Sequence, residues 1–187
     1  RNLDGSPLTG MPGNRAIERE IEKRLKARTR FSLCYADLDN FKPFVDKYGY
    51  AWGSEVIKEV GRLFAAQLEG EGSGEDFLGH IGGDDFVLLT VPYRAEELCR
   101  RIVDGFAGRI QKFYTQEDRE RGFITGNDRA GVQRGFPLIT VTIAIITDDG
   151  SRFQSPLDMS EAAARLKEYG KTLPGSNYVT EESVRST

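Results

Sequence analysis

The spacing of apolar residues divides the chain into alternating helical and extended stretches. Ile17, Ile21 and Leu25 recur every fourth residue with charges between them, which predicts a helix capped by Asn14. Phe31 to Tyr35 is a short unbroken apolar run and predicts a buried strand ending at Asp37. A helix is expected after Asp39, and a longer one from about Gly53 with Val56, Ile57, Val60, Leu63, Phe64 and Leu68 on one face. Two short strands, Phe77 to Ile81 and Phe86 to Val91, flank Gly82-Gly83-Asp84, where glycine permits the positive φ of a tight reversal. Ala95 to Phe113 carries a helical stripe of Leu98, Ile102, Phe106 and Ile110, and Leu138 to Ile146 is the strongest extended segment. A last helix is expected over 157–169 and a short edge strand at Tyr178-Val179. Strands alternating with helices imply an α/β or α+β layer around one central sheet.

Loops separate these elements. Residues 1–13 form a Gly- and Pro-rich lead-in, 69–75 a turn, and 114–136 a polar, basic insertion expected as a loop or small hairpin. Residues 180–187 are expected as a tail. A length of 187 residues fits one domain, 1–187, able to bury a real core. Its net charge of −3 gives no broad attraction to nucleic acid or to an anionic membrane, so neither is expected as a partner. No run of about 18 apolar residues and no signal-peptide pattern occurs. A cytoplasmic location is therefore expected, and the start at Arg1 is read as a piece of a longer protein. Cys34 and Cys99 fall in apolar patterns and read as reduced core thiols. The single histidine, His80, reads as a packed or surface residue outside the chemistry. Tyr50 and Trp52 read first as packing residues and second as a platform for a base.

The candidate chemistry lies in two acidic segments. Asp37 and Asp39 flank Leu38 at a strand end, and Asp84 and Asp85 sit at a hairpin tip. If the hairpin pairs beside the first strand, these carboxylates meet, repel one another and call for a hard divalent cation. Lys42, in the first turn of the helix after Asp39, and the main-chain N–H groups of that turn would receive phosphate oxygens. Singly, each Asp is ordinary turn or cap chemistry. The combination of D-L-D-N-F-K with G-G-D-D-F is far more specific.

Those segments resemble the GGDEF family of diguanylate cyclases, and the resemblance extends along most of the chain. P-L-T-G-M-P-G-N-R (7–15), Y-A-D-L-D-N-F-K-P-F-V-D-K-Y-G-Y-A-W-G-S (35–54), G-H-I-G-G-D-D-F (79–86), I-T-V-T-I-A-I (139–145) and K-E-Y-G-K-T-L-P-G-S-N (167–177) are each similar to a family motif. Residues 113–124 are similar to an insertion found in one subgroup. The resemblance implies a five-stranded central mixed sheet wrapped by helices, of the nucleotidyl cyclase type. It implies that two GTP-loaded half-sites face one another in a homodimer. Each 3′-hydroxyl then attacks the other nucleotide's α-phosphate, giving cyclic di-GMP and pyrophosphate. By position, Asp37, the Leu38 carbonyl and Asp84 would hold Mg²⁺ or Mn²⁺. Asp84, Asp85 and Asp37 would be the catalytic carboxylates, and Lys42 and Lys171 would contact phosphate.

The base-reading positions depart from the pattern. Val45 stands for the family's Asn, Ser54 for its Asp and Tyr50 for its His, while Asp85 replaces the usual Glu and Ser176 an Arg. Each lost hydrogen bond to guanine is worth roughly 1–3 kcal/mol. Two together weaken GTP binding roughly a hundredfold. The inhibitory R-x-x-D motif survives only as Ser73 and Asp76, without the guanidinium fork that grips a phosphodiester. Three functions fit: a cyclase of bacterial cyclic-dinucleotide signalling with altered base preference, accepting GTP or ATP; a degenerate nucleotide-binding module regulating fused sensor or output domains; or a plain dimerisation scaffold. Retention of Asp37, Asp84, Lys42 and Lys171 argues against the scaffold.

Overall fold

The computed structural model of the chain describes residues 4–69 and 75–185. Strands β1 (Phe31–Asp39), β2 (Phe77–Gly82), β3 (Asp85–Thr90), β6 (Thr140–Asp148) and β7 (Asn177–Thr180) form one five-stranded mixed sheet in the order β2-β3-β1-β6-β7. Only the β6–β7 pair is parallel. The expected central mixed sheet wrapped by helices is the one observed.

Alternation along β1 decides what each face carries, because successive side chains point to opposite sides of a strand. Cys34, Ala36 and Leu38 enter a core shared with helices α2 (Phe41–Tyr48), α3 (Tyr50–Glu69) and α4 (Pro92–Ile110). Phe31 and Leu33 enter a second core with helices α1 (Asn14–Lys26) and α6 (Pro156–Gly170). Helices thus cover both faces, and the cores are dominated by fully buried Phe44, Phe64, Phe86, Phe106, Leu88 and Leu98. Cys34 and Cys99 are buried and free, as expected. No helix among the described residues is long and apolar enough to cross a membrane.

The lead-in is more ordered than a loop. A bridge joins Gly5 to Pro12, and Asp4 Oδ2 accepts from the Ala16 N–H at 2.5 Å. Asp4 thereby does the capping expected of Asn14, which is itself the first residue of α1. The turn at 69–75 lies partly outside the described residues. Asp39 stays in β1, and Asn40, in the left-handed region at φ 64°, separates it from α2. The long helix starts at Tyr50, three residues before Gly53. Helix α4 begins at Pro92, suited to a first helical turn, and ends at Ile110 before one 3-10 turn over 111–113. Strand β6 begins at Thr140 rather than Leu138, and the expected tail contains a short helix, α7 (Glu181–Arg185).

The insertion holds a helix besides the hairpin: α5 (Gln116–Arg121) precedes β4 (Phe123–Asn127) and β5 (Gln133–Pro137). Thr115 caps α5 by accepting from Asp118 N, and Gly122 ends it at φ 78°. Asp118 is 1% exposed and receives hydrogen bonds from Lys47 at 2.8 Å, Arg121 at 2.6 Å and the Tyr48 hydroxyl. Burial opposes ionisation there, but these bonds hold its carboxyl well below the usual range. Tyr48 also stacks on Phe44 at 4.7 Å, so the insertion is bolted to the end of α2.

Candidate functional site

Period-two alternation puts Tyr35, Asp37 and Asp39 on the α6 side of the sheet, where β1 runs out. Antiparallel register sets Asp37 opposite Asp85, the first residue of β3, and Asp84 precedes it in the turn. Carboxylate oxygens of Asp37, Asp84 and Asp85 all come within 4.8 Å of one another. The two acidic segments therefore meet at one end of the sheet.

Lys167 of α6 and Lys171, the residue that ends it, face this end. Lys171 Nζ is 3.2 Å from Asp37 and 2.6 Å from Asp39, and Lys167 Nζ is 3.2 Å from Asp37. Asp39 also accepts from Thr140 Oγ1 at 2.7 Å and Thr142 Oγ1 at 2.9 Å. It is thus held apart from the three-carboxylate group. Gly170 lets α6 approach this closely, since a Cβ there would lie 2.6 Å from Thr142 Cγ2.

Electrostatics separate the three carboxyls. Burial, then the hydrogen bond and charge of Asp37, push Asp85 up to about 7. Burial and the Asp37 charge also raise Asp84. For Asp37 burial works upward, but the bond with Asp85 and the charges of Lys171 and Lys167 outweigh it and keep its carboxyl low. Tyr35 donates to Asp85 Oδ2 at 2.9 Å, and burial raises its phenol. Asp85 Oδ1 is buried with no hydrogen-bond partner among the described residues. Four carboxylates face two lysines, which leaves two negative charges if all are ionised. An unpartnered buried carboxylate oxygen and a charge deficit of two fit a divalent, oxygen-seeking cation.

Other sequence-predicted residues are distributed differently. Lys42 is exposed and its ammonium pairs with Asp46 at 2.7 Å; no ion pair joins it to the carboxylate cluster among the described residues. Val45, Tyr50 and Ser54 do line one cavity of about 440 Å³, together with Phe41, His80 and Gly83. Its walls are largely apolar, and Val45 Cγ2 occupies space that any Cβ on Gly53 would contest at 2.8 Å. Trp52 turns instead to Phe113, edge to face at 6.2 Å. Ser176 Oγ accepts from the Val141 N–H at 3.0 Å, a bond that secures β6. The Asp76 side chain is 7% exposed, accepting from Thr90 Oγ1 at 2.7 Å and lying 3.4 Å from Arg94, while Ser73 lies outside the described residues.

Sequence reasoning passed over Lys167, Tyr35, Thr140, Thr142 and His80. Lys167 sits four residues before Lys171 and Tyr35 two before Asp37, spacings that place each pair on one face. His80 is 3% exposed and hydrogen-bonded through both ring nitrogens.

Comparison with known proteins converges on one family. The sequence model described as "Diguanylate cyclase, GGDEF domain" matches residues 4–122. Diguanylate cyclase DgcS of Shewanella oneidensis is 37% identical over 103 residues, covering 51% of this chain and 33% of that protein. Diguanylate cyclase DgcZ of Escherichia coli is 26% identical over 155 residues, covering 79% of this chain and 48% of its own length. The chain thus spans less than half of either relative. Among solved structures, the GGDEF domain of DgcB from Caulobacter crescentus, in complex with c-di-GMP, superposes with a TM-score of 0.68 at 18% identity over 98% of both chains. At that identity the likeness speaks for the fold.

Proposed function

The chain belongs to the GGDEF family of diguanylate cyclase domains, and from that premise we propose that it is a nucleotidyl cyclase domain of cyclic-dinucleotide signalling with loosened base selection. Two nucleoside triphosphates, one in each half-site of a homodimer, give one cyclic dinucleotide and two pyrophosphates. The observation carrying this reading is the convergence of Asp37, Asp84 and Asp85 beside Lys171 and Lys167 at one sheet end.

Asp37, Asp84 and the Leu38 carbonyl would hold Mg²⁺ or Mn²⁺, which supplies positive charge to the triphosphate when bound. Lys171 and Lys167, which lie against Asp37, would serve the phosphate oxygens and stabilise charge on the departing pyrophosphate. Asp84 and Asp85 would accept the proton of an incoming 3′-hydroxyl. Asp85 is one methylene shorter than glutamate in its reach for that proton. Lys42 takes phosphate only after leaving Asp46.

The cavity at Val45, Tyr50 and Ser54 supports the loosened base selection. Val45 offers a guanine edge no hydrogen bond and Ser54 a single hydroxyl, so GTP and ATP would be poorly told apart. The same apolar wall favours a second reading: a domain that binds nucleotide weakly and regulates fused sensor or output domains. Synthesis of a cyclic dinucleotide from GTP, ATP or their mixture, abolished by Asp84→Ala, separates the two.

A further inference from the structure

On sequence grounds His80 reads as a packed or surface residue outside the chemistry. In β2 it lies opposite Phe86, stacks on that ring at 4.6 Å and is almost fully buried. Its Nε2 is 3.0 Å from the main-chain oxygen of Gly83. A carbonyl only accepts, so Nε2 carries the proton. Nδ1 is 2.6 Å from Ser6 Oγ and 3.2 Å from Thr9 Oγ1, and on a neutral ring it accepts, so the hydroxyl donates. The His80 main-chain N–H donates to Pro12 O at 2.9 Å. One residue therefore grips the lead-in at three points and the reversal before Asp84 at a fourth.

The reversal needs that grip. Gly82 and Gly83 have φ of 126° and 55°, and the strand register shifts between His80 and Gly82. Neither glycine has a side chain to anchor, and a Cβ on either would meet nothing within 4 Å. Outside the strand ladder, among the described residues, two hydrogen bonds hold the turn: Leu38 N–H to Asp84 O at 3.3 Å, and His80 to Gly83. The lead-in, by contrast, is a closed unit, with Ser6 N–H bonded to Met11 O at 2.7 Å and Gly10 N–H to Ser6 O at 2.8 Å. The stiffer partner sets the position of the looser one.

We propose that His80 is a positioning residue that fastens the lead-in to the catalytic turn, so that displacement of Ser6 is transmitted through the imidazole to the Gly83–Asp84 peptide. The mechanical link stands on the hydrogen bonds alone; its effect on metal rests on Asp84 as a ligand, as proposed above. Ser6, His80, Gly82 and Gly83 also line the cavity that holds Val45 and Ser54. A base entering it therefore touches the link.

Because the chain contains one histidine, its ring nitrogens are resolved without ambiguity by ¹⁵N NMR on the full chain. In metal-free protein the Nε2–H tautomer is expected. Ser6→Ala is expected to move the Gly83 and Asp84 amide signals and to speed their exchange, and His80→Phe to do the same. His80→Gln, which keeps a donor for Gly83, is expected to restore them. With Mn²⁺ as probe, affinity should fall about tenfold in His80→Phe, within the range of residues that orient a metal's ligands, and recover in His80→Gln. An Nδ1–H tautomer, or Gly83 and Asp84 signals unmoved in Ser6→Ala, overturns the proposal. A parent protein that binds no Mn²⁺ overturns the metal reading, while the tautomer and amide signals still decide the link.

Discussion

Asp37 and Asp85 stand opposite one another in the β1–β3 register, and one of this facing pair keeps its proton toward neutral pH. Two carboxyls on one face of adjacent strands cannot both ionise cheaply in a half-buried site. Lys171 and Lys167 settle which one does, by sitting against Asp37. The remaining carboxyl, Asp85, is fixed by the Tyr35 hydroxyl.

Stability of the metal-free protein therefore depends on pH in a definite direction. Asp85 has a folded value of about 7 against an ordinary value of 3.8. Its contribution is fully present below the unfolded value and is lost as pH rises through about 7. Asp84, also raised, acts with the same sign, whereas Asp37, held low, is ionised in both states across this window. In chelator, the melting temperature should fall between pH 5 and pH 8, and Asp85→Asn should flatten the slope. Equal slopes in parent and variant would count against the shared-proton pair.

The two lysines expected to contact phosphate should differ in weight. Lys171 already lies against Asp37 and Asp39, while Lys42 is exposed and paired with Asp46. Lys171→Ala should weaken binding of a non-hydrolysable nucleoside triphosphate about tenfold, or about 1.4 kcal/mol. Lys42→Ala should cost no more than about 1 kcal/mol, as for an exposed charge. Calorimetry that reverses this order would place the phosphates over α2 instead.

Base selection should be recoverable. Val45→Asn with Ser54→Asp returns hydrogen-bonding groups to the cavity wall, each worth roughly 1–3 kcal/mol toward guanine. Competition binding should move from near-indifference between GTP and ATP to a clear GTP preference. An unchanged ratio would mean that the base sits elsewhere.

Asp118 should matter to the fold more than to the chemistry. Removing its carboxylate leaves Lys47, Arg121 and Tyr48 without their common acceptor. Asp118→Ala should cost about 2–4 kcal/mol in denaturant unfolding. Its depressed carboxyl contributes stability above the ordinary Asp range that is lost as pH falls. A loss under about 1 kcal/mol would show the insertion to be loosely attached.

Periodicity made the sheet legible, because the runs at 31–35, 86–91 and 138–146 could be buried only as strands with helices on both faces. The acidic end was legible too, since strand pairing forces Asp37 toward Asp85. What was hidden depended on contacts between distant segments. Asp39 reads from sequence as one more carboxylate of the cluster, but Thr140, Thr142 and Lys171 claim it, and β6 supplies two of the three. His80 looked inert because its partners are a lead-in hydroxyl and a glycine carbonyl, neither of which leaves a pattern in sequence. Helix α5 was missed because its six residues are too few and too polar to show a stripe.

Nucleotidyl cyclisation at this acidic end is read most directly from its product. The most direct measurement incubates the chain at high concentration with GTP, ATP and an equal mixture, each with Mg²⁺ or Mn²⁺, and detects cyclic dinucleotides by mass. Product is expected in at least one arm, with weak preference between the bases, and none from Asp84→Ala. No cyclic dinucleotide in any arm, from protein shown to be dimeric and to bind nucleotide, would contradict it and leave the regulatory reading in its place.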